Sequence, residues 1–253
     1  MSASLELGRG VEWIHECYSE PTGHLHVSVY LVRAPGGDIL VDSGSFYHRD
    51  SLHSRIESAT DGRGPRALIL SHSDYPHSGN IPTFREEWGD FEIVASVASP
   101  EIQGLPYARR ARIGESLDVL GRRFTFLDPP LADRSHTTWI YDEEGKTLFV
   151  ADGFGTIHPP GHCDSWWGDL PLEGRTEGVL EFHDQTLRWL IYVDPDRLMT
   201  ALRDIFARHP AEVVAPIHGP PIARADLEAY LDDLESGVRT IVSTHAAMTT
   251  EEE

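Results

Sequence analysis

Cysteine is scarce in this sequence of 253 residues, which contains only Cys17 and Cys163. Two cysteines are too few for the disulfide framework of a small secreted domain, so we expect free thiols in a reducing compartment. No apolar run approaches the ~20 residues that span a bilayer. The opening segment "MSASLELGRGVEW" also lacks the basic stretch and the apolar stretch of a signal peptide. These absences favour a cytoplasmic protein that does not enter a membrane.

Lysine is almost absent as well, since Lys146 is the single one. Aspartate and glutamate number 41 against 21 lysines and arginines, which gives a formal net charge of −20. A surface this acidic repels both nucleic acid and anionic lipid, so we expect neither as a partner. The hydrophobic fraction of 40% and the charged fraction of 25% are those of an ordinary globular protein.

The order of apolar patterns predicts an α/β fold made of two packed β-sheets with helices outside. The segments that read as strands are "HVSVYLVRAP", "GDILVDSG", "RALILSHSD", "FEIVASV", "RRFTFLD", "TTWIYDEEGKTLFVAD", "RWLIYVD" and "AEVVAPIHGPP". Within them, "APGGD" and "DEEGK" are typical of hairpin turns. The segments with helical periodicity are "DSLHSRIESA", "PDRLMTALRDIFARH" and "RADLEAYLDDLESGVRTIVSTH". We expect one domain over residues 1–253, with a disordered tail at residues 246–253.

Potential metal ligands follow several of the predicted strands. The segment "SHSDYPHSGN" directly follows the apolar run "ALIL" and carries His72, Asp74 and His77. Further histidines and aspartates follow other strands, namely Asp133, His136, Asp152 and His218. Each of these side chains alone would be an ordinary loop residue. Their recurrence at strand ends indicates a metal site, because histidine and carboxylate side chains gathered from separate strand ends are how such sites are built.

This pattern resembles the metallo-β-lactamase superfamily, whose fold is an αββα sandwich with a two-metal site at one edge. The motif H-x-H/E-x-D-H-x-G of that family is matched by "HSDYPHSG" at His72, Asp74, His77 and Gly79. The resemblance covers roughly residues 24–235. It also implies that Asp42 in "ILVDSG" supports the metal-binding loop from behind.

The resemblance is closer to one branch, the di-iron domain of flavodiiron proteins. The segments "ADGFGTIH" and "VVAPIHGPPI" are similar to that branch and offer Asp152 as a bridging ligand and His218 as the last ligand. That branch also uses a carboxylate in the second position of the motif, where the zinc hydrolases use a histidine. No flavodoxin-like segment follows, so the resemblance implies a di-iron domain like the stand-alone oxygen-binding di-iron proteins.

The sequence departs from the family motif at Pro76, which stands where the motif has its second aspartate. Proline has no ligating side chain, and in the hydrolases that aspartate binds the second metal and helps to orient the attacking water. We therefore expect an open or weak second metal site, or a site with only one metal, and a poor fit to ordinary hydrolysis. The middle ligand is ambiguous, because spacing favours Asp133 and residue type favours His136.

The resemblance implies two iron ions, with zinc or manganese as other candidates. His72, Asp74 and either Asp133 or His136 would hold one ion, His77 and His218 the other, and Asp152 would bridge them. His24 and His26 in "GHLH" are candidate pocket groups or extra ligands, with ordinary loop histidines as the alternative.

Three functions are compatible with these ligands. The expected one is a di-iron protein that binds or reduces dioxygen or a related small oxidant, with electrons from a separate redox partner. The alternatives are a zinc hydrolase of an ester, thioester or phosphoester and a non-enzymatic oxygen sensor. Besides dioxygen or another small-molecule substrate and the redox partner, a second copy of the chain (a homodimer) is a candidate partner.

Overall fold

The computed structural model describes residues 4–96 and 105–250, without the side chains of residues 248–250. The first sheet has seven strands in the order of the chain. They are β1 (Leu5–Gly8), β2 (Val11–Glu20), β3 (Gly23–Ala34), β4 (Gly37–Val41), β5 (Ala67–Leu70), β6 (Glu92–Ser96) and β7 (Arg109–Ala111). Strands β1 to β4 are antiparallel neighbours, whereas β4 to β7 run parallel.

The second sheet has six strands in the order β13-β12-β11-β10-β9-β8. They are β8 (Ser116–Val119), β9 (Arg122–Leu127), β10 (Trp139–Asp142), β11 (Thr147–Phe149), β12 (Val213–Ala215) and β13 (Ile222–Ala223). The α-helices are α1 (Arg49–Ala59), α2 (Tyr75–Ser78), α3 (Ile81–Trp88), α4 (Arg175–Thr186), α5 (Pro195–Arg208) and α6 (Leu227–Thr250). Strands β11 and β12 pair in parallel, and the other described neighbours in this sheet are antiparallel.

Three buried apolar clusters define the layers. The central cluster lies between the two sheets, where Val41 and Ile69 of the first sheet pack with Phe126 and Phe149 of the second. A second cluster joins the other face of the first sheet to α1 and α3, and a third joins the other face of the second sheet to α4, α5 and α6. Both sheets are therefore apolar on both faces, as sheets covered by helices must be. The expected αββα sandwich in one domain is confirmed.

The predicted turns and the best-defined helix also have their expected form. Strands β3 and β4 form a hairpin closed by Ala34 opposite Gly37, and β10 and β11 form one around "DEEG". Helix α5 begins at Pro195, and the carboxylate of Asp194 accepts a hydrogen bond from the backbone N–H of Arg197. A capping carboxylate followed by proline fixes the start of a helix because it satisfies a free N–H group.

The prediction of a strand at "RWLIYVD" is wrong, because residues Arg188–Tyr192 form a 3₁₀-helix. Its apolar residues pack on the helical side of the second sheet, where Leu190 is buried. The indole N–H of Trp189 donates to the backbone carbonyl of Ala132. An apolar run this short fits either structure, and here packing decided between them. The sequence patterns also did not predict three helices and five strands, namely α2, α3, α4, β1, β2, β7, β8 and β13.

The prediction of a disordered tail from residue 246 is wrong as far as Thr250, because α6 continues to that residue. Its last turns contain Ala246, Ala247 and Met248, which are good helix formers. Residues 251–253 lie outside the described residues, as do residues 1–3, residues 97–104 and with them the end of the predicted strand "FEIVASV". The limits of the predicted domain, 1–253, therefore stay a prediction.

The expectation of free cysteines is also wrong, because Cys17 and Cys163 form a disulfide with their Cα atoms 6.1 Å apart. His24 and His158 exchange backbone hydrogen bonds, which brings the loop after Ile157 onto the β2–β3 hairpin. Cys163 is thereby placed against Cys17 although 146 positions separate them. Within residues 4–96 and 105–250, no helix has both the length and the apolar character needed to cross a bilayer.

Candidate metal centre

The candidate ligands lie where parallel strands end. Asp42 follows β4 and His72 follows β5, and these two strands are parallel neighbours. On the other sheet, Asp152 follows β11 and His218 follows β12, again a parallel pair. The carboxyl ends of parallel strands meet at the same edge of a sheet. The fold therefore brings residues that are far apart in sequence to one edge of the sandwich.

His72, His77 and Asp152 form the buried centre of this edge. Their potential ligand atoms all lie within 4.8 Å of one another, and all three residues are buried. The carboxylate of Asp152 lies 2.8 Å from Nε2 of His77, 3.9 Å from Nε2 of His72 and 3.4 Å from Nε2 of His218. A carboxylate surrounded by three imidazole nitrogens in this way can bridge two metal ions.

A second group contains His72, Asp74 and Asp133, whose potential ligand atoms also lie within 4.8 Å of one another. Nε2 of His72 is 3.3 Å from Oδ2 of Asp133. The hydroxyl of Thr137 donates to Oδ1 of Asp133 and so fixes the orientation of this carboxylate. Nε of Arg134 donates to Oδ2 of Asp74, and Nη2 of the same guanidinium lies 2.6 Å from that oxygen. His72 thus belongs to both groups and joins them.

His136 lies outside both groups. Its Nε2 is 2.7 Å from the hydroxyl oxygen of Ser73, and its ring centre is 6.2 Å from that of His72. The geometry therefore favours Asp133 over His136 as the middle ligand. Both candidates lie in the irregular loop after β9, and this loop turns Asp133 inward toward His72.

Asp42 lies behind His77, on the side away from Asp152. Its carboxylate accepts hydrogen bonds from Nδ1 of His77 and from both the backbone N–H and the hydroxyl of Ser71. Asp42 has a φ of 59°, a left-handed conformation that aspartate tolerates better than most residues. A carboxylate that receives the Nδ1 proton leaves Nε2 of the same ring directed at the metal, which is the usual support of a metal-binding histidine.

The charges in the centre fit a bound cation. Burial disfavours the charged form of His77, but Asp152 and Asp42 outweigh burial and raise its pKa to about 10. Burial alone would raise the pKa of Asp152, yet the neighbouring His77 and His218 lower it far below its ordinary value. Without a metal, the charged forms of His77 and Asp152 therefore stabilise each other, with the extra proton on His77. A metal cation can take the place of that proton.

Buried polar atoms without hydrogen-bond partners also indicate that the centre binds a cation. Nε2 of His72 is buried and has no hydrogen-bond partner among the described residues, and the 2.8 Å contact between Nε2 of His77 and Oδ1 of Asp152 lacks the geometry of a hydrogen bond. Buried polar atoms without partners are costly and require an explanation. One group offers two carboxylates and one imidazole, and the other offers two imidazoles and a bridging carboxylate. Such ligand sets suit iron or manganese and can also hold zinc. The residues therefore fit a metal pair.

His218 is oriented from behind by the main chain. Its Nδ1 donates to the backbone carbonyl of His26 at 2.8 Å, so Nε2 is left directed toward Asp152. The side chains of His24 and His26 do not join the centre. His26 instead donates through Nε2 to the backbone carbonyl of Cys163, and Nδ1 of His24 lies beside the two cysteine sulfurs.

The segment around Pro76 forms the short helix α2, with the proline in its first turn. His77 is buried at this helix while Pro76 is half-buried. Gly79 ends the segment where there is no room for a side chain. A Cβ there would lie 2.7 Å from the backbone oxygen of Tyr75 and 2.8 Å from the backbone nitrogen of Phe46. Glycine at this motif position is therefore needed for close packing of the metal-binding loop.

Three residues that were not predicted hold the carboxylates of Asp74, Asp133 and Asp42, namely Arg134, Thr137 and Ser71. The only signal for Arg134 and Thr137 is that they stand in the segment "DRSHTT", beside a candidate ligand. Arginine in an acidic chain is an ordinary surface residue, so sequence alone does not select it.

Comparison with known proteins agrees with the fold. The family model of the metallo-beta-lactamase superfamily matches residues 22–245. A hydroxyacylglutathione hydrolase of Xylella fastidiosa is 31% identical over 229 residues, 87% of this chain and 83% of its own. A coenzyme F420H2 oxidase of Methanothermobacter thermautotrophicus is 27% identical over 140 residues, 51% of this chain and 34% of its own.

The crystal structure of the flavodiiron protein from Giardia intestinalis has the same fold, with a TM-score of 0.75 and 14% identity. The match covers 95% of this chain and 60% of the Giardia chain, so the chain spans about three fifths of that protein. The sequence-based resemblance to the di-iron domain of flavodiiron proteins is thus confirmed at the level of the fold.

Proposed function

Since the chain belongs to the metallo-β-lactamase superfamily, we propose that it is a non-haem di-iron protein that binds or reduces dioxygen. One observation carries the proposal. Asp74 and Asp133 offer carboxylate oxygens beside His72, within 4.8 Å of one another. Carboxylates are hard ligands that favour iron over zinc, and their charge stabilises ferric iron. The fold likeness to a flavodiiron protein and the sequence similarity to an oxidase support the same choice.

We propose that His72, Asp74 and Asp133 hold one iron, that His77 and His218 hold the other, and that Asp152 bridges them. Bound iron would supply a centre that exchanges electrons with dioxygen. The side chains around it hold the ligands in place. Asp42 and the His26 carbonyl fix the proton-bearing Nδ1 atoms of His77 and His218, which keeps each Nε2 directed inward.

Arg134 has a separate role in this proposal. Its guanidinium binds Asp74 with both donors on the same oxygen, so the second carboxylate oxygen of Asp74 is left for a ligand bond. Arg134 is 55% exposed, so its positive charge stands at the open side of the centre. Reduction of dioxygen needs a source of electrons, and we propose a redox partner protein as that source.

A zinc-dependent thioester hydrolase is the second candidate. The similarity to a hydroxyacylglutathione hydrolase, at 31% identity over most of both chains, favours it. Zinc would there lower the pKa of a bound water to ~7. Pro76 argues against this candidate, because it removes the carboxylate that orients the attacking water in the hydrolases.

The deciding experiment uses two preparations of the same protein. The iron-loaded protein is reduced without air and mixed with dissolved oxygen, and oxygen uptake is followed with an electrode in the presence of excess reductant. The zinc-loaded protein is assayed for hydrolysis of a hydroxyacylglutathione and of simple esters. His72→Ala is the control for both, because His72 belongs to both ligand groups.

Oxygen uptake that is lost in His72→Ala, together with little hydrolysis, would support the proposal. Hydrolysis without oxygen uptake would overturn it in favour of the zinc enzyme. Binding of oxygen in a fixed ratio without turnover would support the sensor that binds dioxygen and passes the signal to a partner. Metal analysis of the protein purified without added metal would show which ion the centre takes up.

A further inference from the structure

A second cluster of metal-binding side chains lies beside the candidate metal centre and is separate from it. It consists of Cys17, His24, His26, His158 and Cys163, which we call the Cys–His cluster. The potential ligand atoms of Cys17, His24 and Cys163 lie within 4.8 Å of one another. Those of Cys17, His26 and His158 do so as well. None of these side chains has a role in the proposed di-iron chemistry.

Three sulfur–nitrogen distances in the cluster are those of a zinc site, whereas His158 and Cys163 belong to different groups and must approach each other when zinc binds. Nδ1 of His24 is 3.6 Å from the sulfur of Cys17 and 3.5 Å from that of Cys163. Nε2 of His158 is 3.4 Å from the sulfur of Cys17. A tetrahedral zinc ion with bonds of ~2.3 Å to sulfur and ~2.0 Å to nitrogen places such atoms ~3.5 Å apart.

The tautomer of His158 also fits a zinc site. Nδ1 of His158 donates to the backbone carbonyl of Pro159 at 3.0 Å, so the lone pair of this ring is on Nε2, the atom that faces Cys17. Metal-binding histidines usually give their other ring proton to a carbonyl or a carboxylate in this way.

We propose that the Cys–His cluster is a redox-controlled zinc site, which binds zinc through Cys17, Cys163, His24 and His158 when the disulfide is reduced. The disulfide and the zinc site exclude each other, because both use the same sulfur atoms. Two thiolates and two imidazoles are a ligand set of structural zinc sites. Thiolates are softer ligands than carboxylates, so the ligands of this site differ chemically from those of the oxygen-rich di-iron centre.

The disulfide is converted to the two thiols of the zinc site by thiol–disulfide exchange with an external dithiol. A thiolate of the dithiol attacks one sulfur of the Cys17–Cys163 bond, the bond breaks, and a mixed disulfide forms. The second thiol of the reductant then displaces the protein sulfur, so the reductant leaves as a cyclic disulfide and both cysteines become thiols. Binding of Zn²⁺ releases both thiol protons. An external disulfide reverses the reaction and releases the zinc.

Cobalt is the best probe, because a thiolate bound to Co²⁺ gives a charge-transfer band that carboxylate and imidazole ligands do not give. The protein is titrated with Co²⁺ before and after reduction with a phosphine, since a dithiol would itself bind the metal. We expect the band only after reduction. It should be clearly weaker in Cys17→Ser and in Cys163→Ser, because one thiolate remains in each, and it should disappear in the double variant. Binding should weaken at least about tenfold in His158→Ala.

Two control variants test whether the band comes from the Cys–His cluster itself. His162→Ala removes a neighbouring histidine of the same loop, and His72→Ala disables the di-iron centre. Both should keep the band, so the result does not depend on the proposed function. A reduced wild-type protein without the band, or a band that persists in the double cysteine variant, would overturn the zinc site.

A second measurement needs no variant and so cannot fail through misfolding. The reduced wild-type protein is treated with iodoacetamide with and without Zn²⁺, and the modified cysteines are counted by mass spectrometry. Zinc should protect both Cys17 and Cys163. Equal modification with and without zinc would refute the proposal.

Discussion

Nδ1 of His77 donates to Oδ2 of Asp42 at 2.8 Å, and both side chains are completely buried. The other ring nitrogen of His77 lies 2.8 Å from Asp152. His77 therefore connects a carboxylate that can bind metal with one that only orients. Because His77 has no freedom to rotate between these two contacts, the position of its Nε2 is set by the strand end that carries Asp42.

Asp42→Asn tests this orienting role. The amide no longer has the charge that favours the proton on Nδ1, so metal affinity at the site of His77 should fall by roughly 10–100-fold. Metal titration of both proteins measures the change. Asp38→Asn is the matched control, because Asp38 also lies on β4 but pairs with Arg33 instead of a candidate ligand. A comparable loss in the control would show a general effect on the fold.

Asp133→Ala and His136→Ala decide between the two candidates for the middle ligand. The carboxylate of Asp133 lies 3.3 Å from Nε2 of His72, whereas His136 contacts Ser73. We expect Asp133→Ala to reduce bound iron toward one ion per chain and His136→Ala to retain the wild-type amount. Iron analysis and circular dichroism of both variants check metal content and folding. The opposite pattern would identify His136 as the ligand.

Sequence patterns predicted most of the sandwich because its strands are short apolar runs bounded by clear turns. The runs before His72, Asp152 and His218 end where the candidate ligands begin. A residue at the end of a parallel strand has a position that the sheet dictates. That is why these three residues could be brought together from the sequence alone.

The loops were not predictable in the same way. Asp133 lies in an irregular loop after β9, whose course depends on contacts such as that of Trp189 with Ala132. Spacing and residue type therefore gave different answers for the middle ligand. The pairing of Cys17 with Cys163 depends on a backbone bridge between His24 and His158, which leaves no pattern in the sequence.

Pro76→Asp tests the missing carboxylate of the second metal site. Pro76 is in the first turn of α2, where an aspartate is also favourable for the helix. An added carboxylate beside His77 should raise metal affinity at the site of His77 and His218 by roughly tenfold. Pro82→Asp, the same change in the first turn of α3, is the control and should leave affinity unchanged. Unchanged affinity in Pro76→Asp would mean that the second site already has a full set of ligands.

His183 provides a test of stability that is independent of the metals. The side chain is buried in α4, and its Nδ1 donates to the backbone carbonyl of Val179 at 2.7 Å. Burial lowers its pKa from 6.5 to about 4, so the folded protein binds its proton less readily than the unfolded chain. The stabilising contribution is therefore complete above pH 6.5 and is lost as the pH falls toward 4. The difference between the two pKa values corresponds to about 3 kcal/mol of unfolding free energy.

His183→Gln removes this titration, so its unfolding free energy should fall less than that of the wild type between about pH 7.5 and about pH 4.5. Urea unfolding with a chelator present gives both values, because metal release then makes no contribution. His53→Gln, which replaces a half-buried histidine stacked on Trp88, should follow the wild type. If the curves of wild type and His183→Gln were parallel across this range, His183 would have to be accessible to protons in the folded protein, contrary to its burial.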